Sequence, residues 1–371
     1  ATSVVLTDTA DGQDIVFAGA LVTPTLSTAA EGYDLFLNGN GTVITNAVVF
    51  AQAGALTLGN AAGDILLFNG GLTASAPSQV TLNGQLETSG DLVTLGDADT
   101  GLVLAGGLSV INTTAGGSAA GGTIDVNGTV NGTVANTQSL ELNAGTGGTV
   151  DVALALGGGV SLATLRLTQS GGATFADAVT AATSVVLTDT ADGQDIVFAD
   201  GQTVALGSLV TAAQGYDVVI RSTSFAVAAD TSFLNTGALT LGDDSADEFT
   251  ATGSITATAP SAVSIGGAIR ADGGAATISL GDGNTGVSVP LNVTATVGGT
   301  GTGLIDLGDA ALADGAVLIV GRGIANAINL DAVSGTGGGA PSDLEINTTG
   351  AVHVAEAIGT DIVDVTVTQS G

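Results

Sequence analysis

The chain contains no cysteine, methionine, tryptophan or lysine, and only nine Phe, two Tyr, five Pro and one His in 371 residues. Each shortage excludes something. Without cysteine there are no disulfides and no thiolate metal site. With so few aromatics and no Met, the interior lacks the bulky residues that usually fill a globular core. A narrow interior filled by small and β-branched side chains is expected instead. The four bases are Arg166, Arg221, Arg270 and Arg322, set against 35 acids for a net charge of −31. Polyphosphate backbones need several cationic contacts, so nucleic acid and anionic lipid are poor partners. No apolar run approaches the roughly 18 residues of a membrane helix.

What the chain has is Gly, 59 residues of it, together with Ala, Thr, Val, Leu and Asp. Hydrophobic residues make up 44% and the mean hydropathy is +0.52. Disordered chains pair high charge with low hydrophobicity, so this composition argues for a folded chain.

The sequence repeats itself. ATSVVLTDTADGQDIVFA, residues 1 to 18, returns unchanged at 182 to 199. TAAEGYD (28–34) returns as TAAQGYD (211–217), and GALTLG (54–59) returns at 237–242. LTASAPS (72–78) matches ITATAPS (255–261), and LGDADTG (95–101) matches LGDGNTG (280–286). LTQSG (167–171) matches VTQSG (367–371). Two copies of one module are therefore expected, at 1–171 and 172–371, in one continuous rod without a linker. The first copy lacks the ten-residue lead-in GATFADAVTA (172–181). That offset, and an Ala in first place, suggest an excerpt of a longer tandem array or a processed subunit whose ends stack.

Inside each module, short alternating segments such as SVVLT, DIVFA, YDLFLNG and QVTLNG are punctuated by Gly, Asn or Asp. Alternation over four to six residues is the half-buried strand signal, and these punctuating residues tolerate the positive φ of tight corners. The fold class expected is all-β: a parallel β-helix, or β-solenoid, with little or no helix. LG-(N/D) turns open at Leu58 and Leu95 and again at Leu241 and Leu280, gaps that read as pairs of coils of about 19 residues. Leu307 breaks that rhythm. Coils of about 19 to 25 residues give roughly 15 to 19 of them. AGGSAAGG (115–122) and SGTGGGAPSD (334–343) read as loops bulging from the coils, with Gly as neutral spacer.

With these features the chain resembles the repeat regions of large bacterial surface and secreted proteins: filamentous-haemagglutinin-like adhesins, autotransporter passengers and S-layer-like proteins. The resemblance rests on composition, on turn-punctuated strands such as QVTLNGQLETSG (79–90) and on duplication. It implies a right-handed parallel β-helix at the bacterial cell surface or outside the cell, with a structural or adhesive role. A calcium β-roll is a poorer match, because Gly303 in GGTGTGL (298–304) stands where the metal-binding Asp belongs.

Chemistry is hard to find. A lyase needs a base and a cation to stabilise its intermediate, but the Arg are scattered and His353, in AVHVAEA, has no partner in sequence. Paired carboxylates could hydrolyse a glycoside, yet the aromatic platforms of sugar clefts are missing. The chain therefore reads as a non-enzyme, with a polysaccharide-acting enzyme as the remote alternative. The acids are the candidates for a ligand. DTADGQD supplies Asp8, Asp11 and Asp14, then Asp189, Asp192 and Asp195. LGDADTG supplies Asp97 and Asp99, and GDDSADE supplies Asp243, Asp244 and Asp247. Such turns offer hard oxygen ligands to Ca²⁺; they also serve simply as turn formers and solubilising charge. No cofactor is required by the sequence. The expected partners are other copies of the chain, end to end or side by side, and host or matrix glycans.

Overall fold

A computed structural model describes residues 2–368. The fold is a parallel β-solenoid of about 16 turns. The chain divides into two compact units, Ala1–Gln194 and Asp195–Gly371. The sequence modules divide elsewhere, between Gly171 and Gly172. That point lies inside the first unit's coil stack, where Val150–Val152 pairs with Ala173–Phe175 across it.

In the first unit each coil visits three faces in turn. One face opens with Val4–Leu6 beside Leu26–Thr28 and continues through Val48–Val49, Leu72–Ala74, Val93–Leu95, Ile124–Val126, Val150–Val152 and Ala173–Phe175. The second runs from Asp14–Phe17 through Asp34–Leu37, Leu56–Leu58, Gln79–Leu82 and Gly101–Leu104 to Val130–Gly132. The third runs from Val22–Thr23 to Leu162–Gln169 and Val179–Leu187. The second unit is built the same way; one of its faces runs from Thr203–Leu206 to Ser342–Thr348 and Ile362–Thr368.

All of these pairings are parallel, because each strand meets its neighbour only after a full coil. A coil takes 20 residues where Asp14 stands beside Asp34 and 31 where Val93 stands beside Ile124. The 19-residue rhythm is therefore not the coil. Leu58 and Leu95 lie on different faces, each stacked on another partner: Leu58 beside Leu82, and Leu95 beside Ala74. The apparent exception, Leu307, sits one coil from Leu280 and is its register partner.

Side chains alternate in and out, so like stacks on like along the interior. Leu37, Leu58, Leu82 and Leu104 form one such row, all fully buried. The interior is less frugal with aromatics than the composition suggests. Seven of the nine Phe and both Tyr are buried. In the second unit Phe225 packs edge-on to Phe198 at 5.2 Å and stacks on Phe249 at 5.3 Å. The few large residues are thus spent on widening the core locally rather than on surface platforms.

The repeated motifs are corner devices. In TAAEGYD, the Ala29 N–H donates to Tyr33 Oη at 3.2 Å, Ala51 N–H to Thr28 Oγ1 at 2.7 Å, and Ala55 N–H to Asp34 Oδ1 at 2.7 Å. The second copy repeats all three with Ala212 to Tyr216, Leu234 to Thr211 and Ala238 to Asp217. The bonds to Thr28 and Asp34 satisfy the Ala51 and Ala55 N–H groups, donors that the corner takes out of the ladder, while the Ala29 N–H also reaches the Leu6 carbonyl oxygen at 2.9 Å. Gly54 belongs to the same device: a Cβ there would collide with the Tyr33 carbonyl oxygen.

The glycine patch at 115–122 does bulge, within the 31-residue coil, and holds the one short 3-10 turn among the described residues, Ala115–Gly117. Its glycines are not all spacers. Gly121 has φ 64° and a Cβ on it would strike the Ala144 carbonyl of the next coil, whereas Gly117 faces open space.

The 181-residue offset measures about seven and two-thirds coils. Val4–Leu6 lies on the first face of the first coil, while its duplicate, Val185 to Leu187, lies on the third face of the eighth. One sequence therefore serves two faces, because the faces ask for the same alternation.

Candidate functional site

Among the described residues, one group of three acids brings its oxygens within 4.8 Å of one another: Asp200, Asp243 and Asp247. All three belong to the second unit. Asp200 follows strand Asp195–Phe198; Asp243 and Asp247 bound the turn after Leu239–Leu241. Asp247 is buried and its Oδ2 accepts the Asp243 and Asp244 N–H groups at 3.0 and 3.4 Å. Asp244 Oδ1 accepts the Ala246 N–H at 2.6 Å. Arg221, one coil earlier, places Nε 3.1 Å from Asp243 Oδ2. Burial, with the charges of Asp244 and Asp243 adding to it, raises the Asp247 carboxyl above the ordinary carboxylate range against the pull of the two N–H donors.

The corner offers hard oxygens, which suit Ca²⁺. Yet Arg221 already neutralises part of it, and one oxygen of Asp247 is committed to the backbone. A cation would compete with both.

The other sequence candidates fall on separate turns. Asp8, Asp11 and Asp14 are exposed, and Asp14 starts a strand beside Asp34. Asp189 Oδ2 accepts a hydrogen bond from Gln169 Nε2 at 3.1 Å. Asp192 is exposed in the turn before Asp195, which begins its strand in register with Asp217. Asp97 Oδ1 accepts the N–H groups of Asp99 and Thr100 at 2.9 and 2.8 Å, and those bonds lower its carboxyl below the ordinary value. Asp282 makes the same pair of bonds in the second unit. The LGD turn is thus self-capped, and Asp99 is exposed beside it.

Sequence reading missed Asp200 and all of the arginine pairings. Three of the four Arg meet an acid from the preceding or following coil: Arg166 with Glu141, Arg221 with Asp243, and Arg270 with Glu248. The signal that could have found them is spacing by one coil, which becomes visible only when the coil length is known. His353 is exposed on Val352–Val354, beside Asn329.

One concavity lies on the third face of the first unit. This open groove of about 480 Å³ is lined by Leu108, Ser139, Glu141, Thr164, Arg166 and Thr188. Thr168 Oγ1 donates to Glu141 Oε1 at 3.0 Å, so the Glu141 carboxylate is held from two sides. The groove presents hydroxyls, one ion pair and an exposed Leu, without an aromatic platform.

No family model matches the chain, nor does any curated protein or solved structure. None of the described helices is long and apolar enough to cross a membrane.

Proposed function

We propose that this chain is a non-enzymatic structural element: a solenoid segment of a repetitive bacterial surface protein, outside the cell, that works by stacking into a stiff filament, sheath or layer. In this reading the coil is right-handed, as the resemblance implies. The observation that carries it is the use the fold makes of its functional groups. Acids cap turns or pair with arginine between coils, and the duplicated motifs hold corners together. A module of this kind can be lengthened without new design, since each coil is stabilised by its neighbours. Electron microscopy of the concentrated protein tests the reading: filaments or sheets support it, and particles that stay single at every concentration refute it.

The groove at Glu141 and Arg166 favours a second reading, the adhesive region of a large adhesin. Hydroxyls flanking an ion pair suit a polar glycan ligand. Binding on a glycan array that is lost in Arg166→Ala would favour adhesion; an array without hits would leave the structural role alone.

A further inference from the structure

The groove on the third face of the first unit is built from four consecutive coils. Leu108 comes from the first, Ser139 and Glu141 from the second, Arg166 and Thr168 from the third, and Thr188 from the fourth. At about 4.8 Å per coil it runs about 14 Å along the stack, long enough for a disaccharide. The strand that carries Arg166, Leu162–Gln169, shifts register against both neighbours: between Leu142 and Asn143 on one side, and between Leu162 and Thr164 on the other. Such irregularities re-aim side chains, and here they bracket the groove.

Charge, backbone and side chains together select a ligand. Arg166 and Glu141 neutralise each other in the groove, within a molecule of net charge −31. A polyanion would meet repulsion and a single cation. Both edges of Leu162–Gln169 are already paired, so an extended peptide finds no strand edge to join. What remains is side-chain chemistry. Arg166 Nε stands 3.7 Å from Glu141 Oε2, longer than a hydrogen bond, so the guanidinium N–H donors stay available. Glu141 Oε1 accepts one bond, from Thr168, and a carboxylate has further lone pairs to offer. Ser139 and Thr188 add hydroxyls that both donate and accept.

We infer that this groove binds an uncharged saccharide. One ring hydroxyl donates to the Glu141 carboxylate and its neighbour on the ring accepts from Arg166. The apolar C–H face of the adjoining ring lies against Leu108, which is 44% exposed. Adjacent hydroxyls suit this pair because each can donate and accept, and the site offers a strong acceptor beside a strong donor. Arg166 is not a requirement of the fold. SLELN (139–143) recurs as DLEIN (343–347) and LRLT (165–168) as VTVT (365–368). There Glu345 stands beside Thr366, in the register that Glu141 and Arg166 share. The same pairing forms without an arginine, so what Arg166 adds is not what holds the strands together.

This inference rests on the adhesive reading above and names its ligand class. Saturation-transfer NMR tests it with cellobiose, lactose and chitobiose as neutral probes, and digalacturonate and a heparin disaccharide as acidic ones. Transfer to at least one neutral disaccharide is expected, and none to the acidic pair. Arg166→Ala should weaken the neutral ligand at least about tenfold, the scale of a hydrogen bond to a charged group. Arg270→Ala, which removes the ion pair with Glu248 in the second unit, should leave binding unchanged. Both arginine pairs are partly exposed, so both variants should keep their fold, which a thermal melt checks. Binding of the acidic probes alone, or neutral binding that survives Arg166→Ala, would overturn this ligand and site while sparing the adhesive reading. No transfer to any of the five probes would overturn both.

Discussion

Val4 and Leu6 are half-exposed while Val185 and Leu187 are fully buried, although both pairs sit in the same eighteen residues. The same contrast holds between Ile15 and Phe17, half-buried, and Ile196 and Phe198, buried. The local sequence is constant, so the surroundings make the difference: the copies lie on different faces, and the buried one is covered by Leu162–Gln169. In this fold a strand's contribution is a property of what lies beneath and above it rather than of its own residues.

The sharpest way to break that comparison is to delete the same methyl groups in both places. Leu187→Ala should cost about 2–5 kcal/mol, as for a buried leucine with a cavity left behind. Leu6→Ala should cost about 1 kcal/mol or less in dilute protein, because little burial is lost. Denaturant midpoints measure both. Equal losses would mean that the first coil is covered in the isolated chain.

A second pair of regions sharpens the lesson. The turn LGNAAGD in the first unit matches LGDDSAD in the second. Asp64 accepts the Asn60 and Ala61 N–H groups at 2.8 and 2.9 Å, as Asp247 accepts those of Asp243 and Asp244. The surroundings differ. Asn38 and Asn60 stand where the second copy has Arg221 and Asp243. Where the second unit has an ion pair the first has two neutral side chains, and the second unit's buried acid has charged neighbours. Arg221→Ala should therefore destabilise by about 0–1 kcal/mol, the range for a partly exposed pair. Asn38→Arg should have little effect alone, and a positive coupling should appear only together with Asn60→Asp, read in a double-mutant cycle. No coupling would show that the two corners differ in more than charge.

The acids of these corners should respond to pH with opposite signs. Asp247 has a raised folded pKa, so the native state holds its proton where the unfolded chain has lost it. Its carboxylate costs stability above the folded pKa, and the cost vanishes as pH falls below the unfolded value. Asp247→Asn should thus raise Tm slightly at neutral pH and lose that advantage in acid. Asp97 has a lowered pKa; its stabilisation is present above the unfolded value and fades as pH falls through the folded one. Asp97→Asn should be most costly at neutral pH. Thermal melts of both variants across pH read the two signs, and a shared sign would contradict the assigned causes. Asp125 offers a further check, since burial and the Asp151 carboxylate one coil on raise its pKa in the same way.

The smallest effect is expected from chelation. The turn acids are capped by N–H donors and by Arg221, so Tm should stay within about a degree in excess chelator. A drop of several degrees would assign Ca²⁺ a structural role, with Asp200, Asp243 and Asp247 as its first candidates.

The fold was legible because its signals are local. Alternation in segments such as QVTLNG and corner residues such as Gly59 and Asn38 lie within a few positions of one another. The coil length was not legible from the LG turns, because Leu58 and Leu95 mark corners of different faces. The acid corner was half legible: Asp243, Asp244 and Asp247 are neighbours in sequence, while Asp200 and Arg221 arrive from earlier coils, where only the register reveals them. Duplication of the whole module accounts for the repetition of DTADGQD.

On the proposed reading this chain works by stacking coil upon coil, within a molecule and between molecules. Electron microscopy over a concentration series tests it most directly. Filaments or layers that grow with concentration are expected. Single particles at every concentration would contradict that reading.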